Sequence, residues 1–153
     1  MAKELVIGCD HAGFDLKEKI MNEFEKRGYK FKDFGSYSAD SVDYPDYIHP
    51  LAASINSGEY TMGVIICGSG NGVSMTANKY PNVRAALCWI KEISYIARLH
   101  NNANLIALPA RFISEEEALK CVETFLTTEF EGGRHKRRVE KIAIEKPDNE
   151  CLN

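Results

Sequence analysis

The chain lacks the features that would place it in several large classes. Its five cysteines are an odd number without metal-ligand spacing, which argues against a paired disulfide framework and for reduced thiols in the cytoplasm. Charge of one sign is not in excess, and a net charge of -3 gives no global pull toward nucleic acid or anionic membrane. The apolar run near the N-terminus is short and sits among Lys3, Glu4 and Asp10, too brief and too charged for a signal peptide or a membrane span. Internal repeats and low-complexity linkers are absent. What is left, 153 residues with 44% hydrophobic and 27% charged side chains, has the length and composition of one packed domain.

Two nucleotide signatures are missing too. After the apolar run Met62–Cys67 the chain turns through Gly68, Gly70 and Gly72, spelling G-x-G-x-G where a dinucleotide fold needs G-x-G-x-x-G. The strand that follows ends at Cys88-Trp89, without a carboxylate placed for a ribose. Lys79 lies well inside the next helix, so the Lys-Ser/Thr ending of a P-loop is absent. Nicotinamide chemistry and ATP hydrolysis are therefore disfavoured.

What is present is an alternation of short apolar runs with amphipathic stretches. Leu5–Cys9 reads as a strand, and Leu16, Ile20, Met21 and Phe24 then recur at helical spacing until Gly28. Tyr29–Phe34 alternates as a half-exposed strand, and a polar loop, Gly35–Pro45, precedes a helix predicted over Tyr47–Ile55, where Pro50 argues for a late start or a kink. Met62–Cys67 is a buried strand leading into a helix over Val73–Lys79. Val83–Cys88 and Asn104–Leu108 are further strands, flanking a helix over Lys91–Leu99 with Ile93, Ile96 and Ala97 inward. Ser114 and Glu117 form a capping box for a helix whose buried stripe is Ala118, Leu119, Val122, Phe125 and Leu126. After Gly132-Gly133 a basic helix is predicted over Arg134–Lys146, carrying Val139, Ile142 and Ala143, with a frayed tail from Pro147. The pattern implies one α/β domain over residues 1–146: a five-stranded parallel sheet covered by helices on both faces, with functional residues beyond the carboxyl ends of its strands. That rule selects Asp10-His11, Cys67 to Gly72, and Arg111.

Each candidate has an ordinary reading beside its chemical one. Cys67, at the hinge between strand and glycine turn, is either a small buried residue or a thiol placed beside the positive end of a helix for proton transfer. Amides at that turn suit an anion. His11 and His100 are each either surface or capping residues or acid-base groups. The run Arg134-His135-Lys136-Arg137-Arg138 reads as a solvated helix face, as a nucleic-acid patch without the interleaved aromatics, or as a phosphate grip. The third follows because Arg134 and Arg138 are four apart and leave one helix face together. Together these parts suit moving a proton next to a carbonyl on a phosphorylated sugar.

Gly8-Cys9-Asp10-His11-Ala12-Gly13, Asp43-Tyr44-Pro45, Ile66-Cys67-Gly68-Ser69-Gly70-Asn71-Gly72, Ala77-Asn78-Lys79, His100-Asn101 and Gly132-Gly133-Arg134-His135 closely resemble the type B ribose-5-phosphate isomerases along nearly the whole chain. The related galactose-6-phosphate and allose-6-phosphate isomerases share much of the pattern. The resemblance implies a three-layer Rossmann-like fold and an aldose-ketose isomerisation without metal or organic cofactor, at the interface of a homodimer, either alone or paired into a tetramer. It implies Cys67 as the base moving a proton between C1 and C2, and His100 as the group that opens the sugar ring. The amides of Gly68, Ser69, Gly70, Asn71 and Gly72 would stabilise the enediolate, and Asp10 and Asn101 would hold sugar hydroxyls. His11, Arg111, Arg134 and Arg138 would bind the phosphate and substrate, some from across the dimer, and Tyr44 would line the pocket. Two departures stand out: Val73 occupies a place where some members use a carboxylate, and Pro109 one where relatives usually have glycine. The other class compatible with these residues is a non-catalytic phosphometabolite sensor.

Overall fold

The structure, a computed structural model, describes residues 4–144. Five strands form one sheet: β1 (Glu4–Cys9), β2 (Lys30–Asp33), β3 (Gly63–Cys67), β4 (Ala85–Leu87) and β5 (Leu105–Pro109). Their order is β2-β1-β3-β5-β4 and every pairing is parallel. Because β1, β3 and β5 are central, their side chains alternate between two buried faces, which is why their sequences are near-continuously apolar. One face, with Leu5, Ile7, Val64, Ile66, Ile106 and Leu108, is covered by α1 (Phe14–Lys26), α4 (Lys91–Leu99) and α5 (Glu115–Thr127). The other, with Val6, Ile65, Cys67, Leu105 and Ala107, is covered by α2 (Tyr44–Asn56) and α3 (Asn71–Ala77). A short helix, α6 (Arg134–Glu140), follows α5. The expected parallel α/β sheet with helices on both faces is the one observed.

Several boundaries differ from expectation. Helix α2 starts at Tyr44, with Pro45 in its first turn, and runs through Pro50. Pro50 is on the exposed side, while Ile48, Leu51, Ala52 and Ile55 are buried, so packing of one stripe outweighs the hydrogen bond that proline removes. In α4, Ile93 is half-buried and Ala97 buried as expected, but Ile96 is 41% exposed. The inward place belongs to Ser94, whose hydroxyl donates to the Cys121 carbonyl of α5 at 2.6 Å. The basic helix predicted to Lys146 ends at Glu140 and closes through tight turns, Lys141 N to Arg138 O and Ile142 N to Val139 O. Its apolar stripe finds too little to pack against, since Ile142 is 54% exposed. Residues 145–153, including Lys146 and the tail from Pro147, lie outside the described residues.

Candidate active site

Parallel strands all end on one edge, and the register sets Cys9 beside Ile66 and Cys67 beside Pro109. The loops after β1, β3 and β5 therefore meet there, at an open cleft of about 590 Å³. Asp10, His11 and Ala12 come from the first loop, Gly68 from the second and Arg111 from the third; Ser41 to Asp46 close the side. Asp10 is nearly buried, and its Oδ1 accepts from Ala12 N at 2.9 Å and Gly13 N at 3.1 Å, capping the single 3-10 turn His11–Gly13. His11 Nδ1 accepts from the Val42 amide at 3.2 Å, so in the neutral ring the proton is on Nε2. Arg111 is held despite Pro109: Ala110 N donates to Cys67 O, Arg111 N donates to Gly68 O, and the Arg111 side chain lies directly over Gly68.

The glycine turn is built as the sequence requires. Gly70 has φ 73°, left-handed backbone that favours glycine, and precedes the first turn of α3. A side chain at Gly72 would stand 2.5 Å from the Tyr44 ring, so the bare backbone there seats that tyrosine at the cleft. Ser69 and Asn71 are exposed, and the Ser69 hydroxyl accepts from Asn71 N at 3.3 Å, engaging one of the turn amides. Cys67 is 4% exposed and belongs to the apolar layer under α2 and α3. Gly68, rather than Cys67, is the residue of this pair that lines the cleft.

His100, Asn101, Arg134 and Arg138 are elsewhere. His100 closes α4, ahead of β5; Asn104 O accepts from Gly63 N and Asn104 Oδ1 from Arg84 N, fixing this loop at the amino edge of the sheet. The length of β5, roughly 13 Å, separates that edge from Cys67. His100 stacks on His135 of α6, with ring centroids 4.2 Å apart and planes at 13°, and Arg134 and Arg138 stand exposed on the same short helix. Burial, then His100 and the guanidinium of Arg134, hold the His135 imidazole below its ordinary value. Glu131 Oε2 lies 3.9 Å from His100 Nε2 and 3.5 Å from His135 Nε2. This trio is the one group of metal-ligating residues among the described residues, but near-parallel rings direct their lone pairs side by side and not onto one ion.

The sequence reading missed Ala12, Ser41, Val42, Asp43, Pro45 and Asp46 as cleft residues, and Glu131 and His135 as neighbours of His100. Asp43-Tyr44-Pro45 carried a signal, as a turn-like triplet closing a polar loop. Glu131 had none, because its place beside His100 depends on a backbone bond, Glu131 N to Leu99 O, across thirty-two positions of chain.

An open parallel sheet with a polar cleft outside its strand carboxyl ends is the architecture of the doubly wound α/β proteins, which bind small ligands at that edge. Within that class, residues 5–142 match the model of the Ribose/Galactose Isomerase family, and the chain belongs to this family. It is similar to the ribose-5-phosphate isomerase B of Escherichia coli, 39% identical over 148 residues, 96% of this chain and 99% of that one. Among solved structures, a ribose 5-phosphate isomerase from Thermotoga maritima superposes with a TM-score of 0.90 at 47% identity, covering 94% of this chain and 99% of its own. The ribose-5-phosphate isomerase B of Mycoplasma genitalium, with bound ribulose-5-phosphate, superposes with a TM-score of 0.89 at 38% identity, covering 93% and 95%.

Proposed function

We propose that this chain is a ribose-5-phosphate isomerase interconverting D-ribose 5-phosphate and D-ribulose 5-phosphate, acting as a homodimer in the cytoplasm. The observation that carries the reading is family membership over nearly the whole chain together with a relative of the same fold solved with ribulose-5-phosphate bound. Cys67 takes the proton from C2 of the open-chain aldose and returns it to C1, while the hydroxyl proton on O2 passes to O1. The charge that develops on oxygen in between is met by the amides of the Gly68–Gly72 turn. Asp10 and Asn101 hold hydroxyls, and His11, Arg111, Arg134 and Arg138 hold the phosphate. Tyr44 covers the pocket.

Dimerisation is part of the proposal because His100 and Cys67 lie at opposite edges of one sheet. A sugar phosphate reaching both needs the amino-edge group of a second copy beside the carboxyl-edge cleft of the first. The exposed apolar side chains Trp89, Tyr95, Ile96 and Phe112 support such a contact. Four free, buried cysteines among the described residues support a reducing compartment, and no described helix is long and apolar enough to cross a membrane.

The test is turnover of ribose 5-phosphate by purified protein in the presence of a chelator, beside Cys67→Ala. Loss of general acid-base catalysis at Cys67 is expected to lower kcat by roughly 10²- to 10⁴-fold with the ligand still bound. Absence of turnover by the intact protein, with turnover of a six-carbon sugar phosphate instead, would reassign the substrate.

A further inference from the structure

Lys17 is fully buried, at 0% exposure, and nothing in the isomerisation uses it. A buried ammonium must be paired and hydrogen-bonded to be tolerated, so its partners show what it holds. Nζ donates to Asp33 Oδ2 at 2.6 Å and to the Ser36 carbonyl at 2.7 Å. The rings of Phe14 and Tyr37 flank it at 5.4 and 5.3 Å, and Glu18 Oε1 lies 3.6 Å away. Asp33 uses its other oxygen to accept from Gly35 N at 2.8 Å, and its carbonyl accepts from the Tyr37 hydroxyl. Asp33 is the last residue of β2, and through it and the Ser36 carbonyl these bonds secure Gly35, Ser36 and Tyr37, the first residues of the loop that joins β2 to α2.

That loop is a wall of the cleft. It starts at Gly35-Ser36, tied to β1 through Cys9 N to Gly35 O and Ser36 N to Cys9 O. Its far end supplies Ser41, Val42 and Asp43 to the cleft and then enters α2 at Tyr44. Between the two ends Tyr37 to Ser41 are exposed. The bond that reaches the chemistry is Val42 N to His11 Nδ1 at 3.2 Å. An amide N–H on Nδ1 selects the tautomer whose Nε2 carries hydrogen, which turns a donor toward an anion. The other tautomer would present a lone pair there and repel it.

We propose that Lys17 is a positioning residue: through Asp33 and the Ser36 carbonyl it fixes the cleft loop so that the Val42 amide holds His11 in the Nε2–H form that binds an anionic group of the substrate. The effect on substrate rests on the isomerase reading above; the effect on the His11 ring does not. A role confined to stability would lower the fraction of active protein and so the apparent kcat. A positioning role for a binding group instead raises KM.

Two readouts on the full chain test it, with Lys17→Met and, because its side chain is partly exposed and more easily spared, Asp33→Asn. Long-range nitrogen-proton NMR of histidine-labelled protein is expected to show His11 as a single Nε2–H tautomer in the native chain and a mixture in both variants. In ribose 5-phosphate turnover, KM is expected to rise about five- to tenfold with kcat within about twofold, the signature of lost uniform binding. A native His11 without the Nε2–H form, or folded variants with an unchanged ring spectrum and unchanged KM, would overturn the proposal. If Lys17→Met fails to fold, Asp33→Asn decides on the same readouts. If the native protein does not turn over ribose 5-phosphate, the isomerase reading fails and the ring spectrum still decides the role of Lys17.

Discussion

Burial pushes the Cys9 thiol up to about 11 and those of Cys88 and Cys121 up to about 12, from an ordinary value of 9.0. Desolvation is the main cause at all three, opposed at Cys9 by the Ser36 hydroxyl and the Lys17 ammonium. A thiol whose folded value is raised keeps its proton in the native state after the unfolded chain has lost it. Its stabilisation is thus complete below pH 9 and is lost as the pH climbs through the folded values. The urea midpoint is therefore expected to fall between about pH 8 and about pH 10.5, and to fall less in Cys121→Ala. An equal slope in that variant would remove Cys121 from the account. The same packing explains Ser94, which a reading of apolar spacing passes over: a buried hydroxyl is acceptable because the Cys121 carbonyl accepts its proton.

Among the described helices, a side-chain N-cap bond marks the start of α5 and of the 3-10 turn His11–Gly13, and the other helices start without one. Helix α5 begins where Ser114 Oγ accepts from Glu117 N at 3.1 Å, with Glu115, Glu116 and Glu117 in the first turn facing the positive end of the helix dipole. Ser114→Ala is expected to cost about 1 kcal/mol in chemical denaturation, without change in KM, since α5 packs behind the sheet and away from the cleft. A cost near zero would mean that water replaces the cap. Where ends are weak, sequence alone misplaces them. Asp43 makes no side-chain cap bond to α2, and the start of that helix at Tyr44 follows from burial of Ile48 and Leu51 against the sheet. In α6 the reverse holds, and the helix stops early because Ile142 has no layer to cover.

At the scale of the molecule, the candidate residues divide between the two edges of one sheet. Asp10, His11, Gly68 and Arg111 converge at the carboxyl edge, while His100 and the α6 arginines gather at the amino edge. If catalysis needs both, single-site variants should complement each other. Cys67→Ala and His100→Ala, each inactive alone, are expected on mixing and subunit exchange to recover about a quarter of native activity. Random pairing makes half the dimers hybrid, and each hybrid holds one intact site of two. No recovery after demonstrated exchange would place the whole site within one chain and remove the dimer from the mechanism.

The parallel α/β order could be read along the chain, because alternating apolar runs and amphipathic stretches are local patterns, and with it the places where strands end. Asp10, the Gly68–Gly72 turn and Arg111 were legible for that reason. Packing of the folded chain is what buries Lys17 beneath the cleft loop, sets Glu131 beside two histidines, and leaves His100 an entire strand length from Cys67. Those facts depend on contacts between residues far apart in the chain, and no local periodicity encodes which distant partner a charge or an imidazole will meet.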